Sequence, residues 1–136
     1  MKLTSYILSL FLFMNLHAAT WTVTNTNSSG GGSLAWAITQ SQNNSGPDEI
    51  KFNIPKSDPG FNGSVWLIFP NNPFDIISDS ETIIDGSSQK ANRGDTNPRG
   101  PEIEIHGEKI GTKASCFEIM SANNIVRDLA IGGFSR

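Results

Sequence analysis

The run Glu81-Thr82-Ile83-Ile84-Asp85-Gly86-Ser87-Ser88-Gln89 most restricts what this chain can fold into. Thr82, Ile83 and Ile84 branch at Cβ, which suits an extended backbone better than a helical one. Asp85-Gly86 ends the run, because glycine accepts turn conformations that other residues resist. A long polar loop is expected to follow. Runs of this kind recur along the chain, always short and always closed by Gly, Asn or Pro.

Trp21 to Thr24 alternates apolar and polar, as a strand with one buried face does, and Asn25 to Gly32 is rich in turn residues. Ser33 is placed to cap a short helix, with Leu34, Ala37 and Ile38 on one face. That is the only helix the pattern predicts. Ile50, Phe52 and Ile54 alternate with Glu49, Lys51 and Asn53, and Pro55 closes that strand. Val65, Leu67 and Phe69 form the next inward set. Lys90 to Pro101 reads as a polar loop. Ile103 and Ile105 alternate with Glu102, Glu104 and His106. Phe117 with Ile119, and Val126 with Leu129 and Ile131, form the last inward sets, and a corner at Arg127-Asp128 restores their phase. Tight two-residue hairpin turns are scarce and several connections are long, so parallel stacking is expected rather than hairpins. The fold expected from the residues is a stacked, all-β solenoid.

Met1 to Ala19 has the three parts of a secretory signal: Lys2 as the positive end, Ile7 to Leu16 as the apolar stretch, and Ala18 and Ala19 as small residues for cleavage. The apolar stretch is shorter than the ~20 residues a membrane span requires. The expected organisation is a signal peptide at 1–19 and one domain at 20–136, exported and either secreted or held at the cell surface. The formal charge of −3, without a Lys/Arg cluster, argues against nucleic acid as a partner. No later stretch is apolar enough to span a membrane. Cys116 is the single cysteine, so no internal disulfide forms; it reads as a buried inert thiol, with pairing between chains as the alternative. His106 is the one histidine after the signal. One Cys and one His fall short of the four ligands of a structural zinc site.

Four segments resemble exported right-handed parallel β-helix proteins of the pectate-lyase-like superfamily, closest to the N-terminal part of large bacterial surface proteins of that type. They are Thr22-Val23-Thr24-Asn25 with Gly32-Ser33-Leu34 and Ala37-Ile38; Pro47 to Pro55; Thr82 to Gln89; and Asn124 to Phe134. The resemblance implies a right-handed parallel β-helix in which the helix from Ser33 to Gln42 plugs the N-terminal end. Proteins of that kind continue for many more coils, so the likeness implies an N-terminal cap with first coils, truncated after Arg136.

Enzymes of that superfamily cleave acidic polysaccharides with calcium-binding aspartates and an arginine, in middle coils this chain mostly lacks. The carboxylates weighed for such a role are Asp79, Asp85, Glu102, Glu104 and Asp128. Glu102, Glu104 and His106 share a strand face and read as a solvated outer row. Asp85 reads as a turn-former and Arg127-Asp128 as a corner pair. Asn123-Asn124 suits turn geometry. Trp36 and Trp66 fall out of phase with their apolar neighbours; each is either a sugar-stacking platform or a ring covered by loops, and covering is the better reading. Asn27, Asn43 and Asn62 match the glycan-acceptor pattern, which matters only in a eukaryote. No catalytic, cofactor-binding or metal-ligating residue is assigned, and no cofactor is expected. The expected function is a structural, adhesive or glycan-binding module at the cell surface, with polysaccharide or surface glycan as partner. The alternative is a fragment of a polysaccharide lyase or glycoside hydrolase whose catalytic coils lie beyond Arg136.

Overall fold

The computed structural model describes residues 17–135. Most of the expected signal segment, residues 1–16, lies outside them. The described chain runs β1 (Ala19–Val23), α1 (Leu34–Gln42), β2 (Asp48–Phe52), β3 (Trp66–Ile68), β4 (Ile83–Asp85), α2 (Ser87–Arg93), β5 (Ile103–His106), a 3-10 turn (Gly107–Lys109), β6 (Ile125–Arg127) and β7 (Ala130–Gly132). One sheet has the order β1-β2-β4-β6 and the other β3-β5-β7, and every pairing within them is parallel. The register stacks Trp21, Ile50, Ile84 and Val126 in one row, and Ile68, Ile105 and Ile131 in another. Between the sheets lies a single core that includes Phe52, Ile54, Trp66 and Ile77.

The expected all-β, right-handed parallel β-helix is overturned. The chain is mixed α/β, with two helices and two parallel sheets. α1 forms as its sequence predicts: Ser33 Oγ accepts from the Trp36 amide at 3.1 Å, and Leu34, Ala37 and Ile38 are buried against β1 and β2. α2 replaces the start of the polar loop expected after Gly86. It carries no apolar face, so hydrophobic periodicity does not reveal it. Hydrogen bonds from its side chains hold it instead. Ser88 Oγ accepts from the Phe52 amide at 2.7 Å, and Asn92 Nδ2 donates to the Phe52 carbonyl at 2.9 Å. Gln89 Oε1 accepts from the Ile54 amide at 2.9 Å while its Nε2 donates to the Ile54 carbonyl at 2.8 Å.

Two further differences concern phase. Around β3 the buried residues are Val65, Trp66 and Ile68, while Leu67 and Phe69 are half-exposed. Val65 is inward as expected, but from Trp66 onward the phase is shifted by one residue, so that Trp66 and Ile68 take the inward places expected for Leu67 and Phe69. The cause is local: Phe61 bridges Trp66 antiparallel, its ring lies 4.4 Å from the Trp66 ring, and the Trp66 indole N–H donates to the Pro55 carbonyl at 3.0 Å. Trp66 is thus enclosed and is no sugar platform. At the far flank two residues expected to face inward are open: Ile119, bridged to Ile77 outside the named strands, is 45% exposed, and Ile131 is 48% exposed because β7 is an outermost strand of its sheet.

The corner between β6 and β7 is present: Asp128 has φ 53°. Asn123, at φ 60°, turns the chain just before β6. Gly86 packs so closely under the corner that a Cβ there would collide with the Asp128 carbonyl.

Candidate functional site

A groove of about 340 Å³ opens where the 26–28 loop, the 59–62 turn, the end of β3 and the 3-10 turn meet. Asp58 joins its two walls. Its carboxylate accepts from the Thr26 hydroxyl at 2.5 Å, the Thr26 amide at 3.2 Å and the Gly60 amide at 2.8 Å. Gly60 permits this approach, since any side chain there would collide with Thr26. Leu67 and Phe69 reach the groove because of the phase around β3: with Trp66 and Ile68 facing the core, their neighbours must face outward.

The lining divides into an apolar floor and a polar rim. Phe61, Leu67, Phe69 and Pro59 supply the floor, and Thr26, Ser28 and Asn62 supply hydroxyls and an amide. Asn62 is fixed by its own turn, its Oδ1 accepting from the Ser64 and Val65 amides at 3.0 and 2.9 Å. Lys109 is the one charged residue of the lining, with its ammonium 4.8 Å from the centre of the Phe69 ring. That distance suits a cation–π contact. It forms no salt bridge with a described carboxylate.

Beside the groove, the His106 ring stacks on Phe69 at 5.3 Å. His106 Nε2 lies 3.3 Å from Glu104 Oε2, and Nδ1 lies 3.6 Å from Glu108 Oε1. None of these three residues lines the groove. Glu102, expected in the same solvated row, is instead buried, with Oε1 lacking a partner.

The other residues weighed from the sequence have separate roles. Arg127 grips Asp85 with two bonds, Nε to Oδ1 at 3.0 Å and Nη2 to Oδ2 at 2.8 Å. The Arg127 guanidinium, helped by the Ser87 hydroxyl and amide, holds the Asp85 carboxyl below its ordinary value against the opposing effect of burial. Asp79 accepts from the Gly46 and Ser80 amides. Asn124 accepts from the Thr82 amide at 2.9 Å and donates to Ser121 Oγ at 2.8 Å, a structural role at a bend. Trp36 is half-buried, edge-on to Trp21 at 5.9 Å. Burial pushes the Cys116 thiol up to about 12, so it is protonated and inert at neutral pH.

Among the described residues, no group of three or more His, Cys, Asp or Glu side chains is arranged to hold a metal ion. No described helix is long and apolar enough to cross a membrane. From the sequence Leu67 and Phe69 are placed inward because the phase around β3 is misplaced; the signal that could have corrected it is Asn62-Gly63, a tight-turn pair one residue before Val65 and Trp66. No family model, no curated protein and no solved structure matches the chain, so the likeness to pectate-lyase-like proteins rests on its four sequence segments alone.

Proposed function

We propose that the chain is a carbohydrate-binding module acting outside the cytoplasm, in an adhesive or surface-structural role. One observation carries this reading: the groove pairs an aromatic and aliphatic floor with a hydroxyl and amide rim. A sugar ring is divided the same way, into an apolar face and a hydroxylated edge. Phe61 and Phe69 offer apolar surface for the face, while Thr26, Ser28 and Asn62 offer hydrogen-bonding groups for the edge. The volume falls at the lower end of the roughly 300–1,000 Å³ of small-molecule sites. The lining contains no carboxylate and no imidazole, which supports binding over bond cleavage. The signal-like segment at 1–19 supports a place outside the cytoplasm.

Calorimetric titration against a panel of neutral and acidic oligosaccharides tests the proposal. At least one saccharide should bind and be recovered intact. Phe69→Ala should weaken that binding about tenfold, which corresponds to about 1.4 kcal/mol. Absence of binding across the panel, binding that is indifferent to Phe69, or cleavage of the bound saccharide would each overturn it.

A further inference from the structure

We infer that Asn62 is a site of spontaneous deamidation, at which the backbone amide of Gly63 converts a neutral rim residue of the groove into a carboxylate. Asn62-Gly63 is the one Asn-Gly pair in the sequence. The reaction needs an electrophilic side-chain carbonyl, a backbone amide free to attack it and an amide nitrogen free to leave. All three are present. The Ser64 and Val65 amides donate to Asn62 Oδ1 at 3.0 and 2.9 Å, which draws electron density away from Cγ. Among the described residues, neither Asn62 Nδ2 nor the Gly63 N–H has a hydrogen-bond partner. Both residues are exposed. Bulk on the residue after an asparagine hinders ring closure, and Gly63 has no side chain. No neighbouring atom lies within 4 Å of where one would stand.

The atoms balance without a redox partner. The Gly63 nitrogen gives up its proton to solvent base and bonds to Asn62 Cγ. The Cγ–Nδ2 bond breaks, and the departing nitrogen takes a proton from solvent and leaves as ammonia. A five-membered succinimide then joins positions 62 and 63. Water opens the ring at one of its two carbonyls, giving either aspartate or isoaspartate. The net change is one ammonia lost and one water gained.

Either product places a negative charge in the groove whose single charged lining residue is Lys109. Isoaspartate also routes the backbone through Cβ, which lengthens the turn closed by the Asn62 amide and the Val65 carbonyl at 3.1 Å. That turn sits beside the Phe61–Trp66 bridge, so the modification reshapes the groove as well as recharging it. The inference rests on the chemistry of the turn and not on the proposed ligand.

The test is peptide mapping by mass spectrometry after the folded protein is held in mildly alkaline buffer. The Asn62 peptide should gain one mass unit before the peptides carrying Asn43-Asn44 and Asn123-Asn124. It should separate into aspartate and isoaspartate forms, at a rate that rises with pH. Native isoelectric focusing should show a more acidic species that Asn62→Gln abolishes, because glutamine closes a ring far more slowly. A parallel incubation in urea serves as the unfolded reference. Modification at least as fast in the folded protein as in urea supports the inference. An intact Asn62 in the folded protein alongside rapid loss in urea overturns it, as does earlier modification of any other asparagine.

Discussion

Asp85 shows how one side chain can set the limits of several elements. It ends β4, its Oδ1 accepts from the Ser87 amide at 3.1 Å and hydroxyl at 2.6 Å at the start of α2, and it receives both arms of Arg127 from β6. Bidentate guanidinium–carboxylate pairing is directional as well as strong, so it fixes the register of β4 on β6. Its folded-state pKa lies below the ordinary value of an aspartate, chiefly because of the Arg127 hydrogen bonds. A depressed carboxylate contributes stability that is present above its unfolded pKa and is lost as pH falls through the folded value. Arg127→Ala should therefore move the acid-unfolding midpoint to higher pH while changing neutral stability less than a core truncation does. Acid titration followed by circular dichroism measures this, and an unmoved midpoint would show that the pair does not govern acid stability.

At the scale of elements, α1 and α2 follow different rules, and the difference explains which parts of the fold the sequence made legible. α1 announces itself through Ser33 at the cap and through Leu34, Ala37 and Ile38 on one face. The alternation of Ile50 and Phe52 likewise marks β2, whose buried residues are the alternate ones. α2 has no such signature, because its inward residues are Ser88 and Gln89. A buried glutamine becomes an anchor only when a backbone N–H and C=O are waiting for it, and that is a property of Ile54 in three dimensions. The groove was hidden in the same way. Val65, Trp66, Leu67, Ile68 and Phe69 form an apolar run that accommodates either phase, and the bridge from Phe61 decides between them. Gln89→Ala tests the anchoring role. It leaves the Ile54 amide and carbonyl buried without partners, at a cost of about 1–3 kcal/mol for each unmet group. Urea unfolding should show a loss of that order, and amide exchange at Ile54 should accelerate. A loss within about 0.5 kcal/mol, typical of surface positions, would mean that α2 is held by something else.

Across the whole molecule, burial falls from the flank covered by α1 toward β6 and β7. Ile50, Ile84 and Ile105 are fully buried, whereas Val126, in register with Ile84, is half-buried and Ile131, in register with Ile105, is 48% exposed. Parallel stacking makes this gradient unusually easy to measure, since residues in register share a face and differ mainly in how many strands flank them. Ile105 lies between Ile68 and Ile131, while Ile131 has Ile105 on one side only. Truncating a fully buried isoleucine to alanine costs about 2–5 kcal/mol through lost transfer energy and the cavity left behind. At a half-exposed position solvent fills the gap and the cost falls to about 1 kcal/mol or less. Ile105→Ala and Ile131→Ala should differ accordingly in urea unfolding midpoint while sharing one m-value, because both report the same cooperative transition. Backbone exchange should follow the same order, slow in β2 and β4 and fast in β6 and β7, since local opening begins where apolar contacts are fewest. Equal losses from the two substitutions would mean that a second surface covers Ile131 in solution. That result would make the β6–β7 flank an interface instead of the least stable edge of the fold.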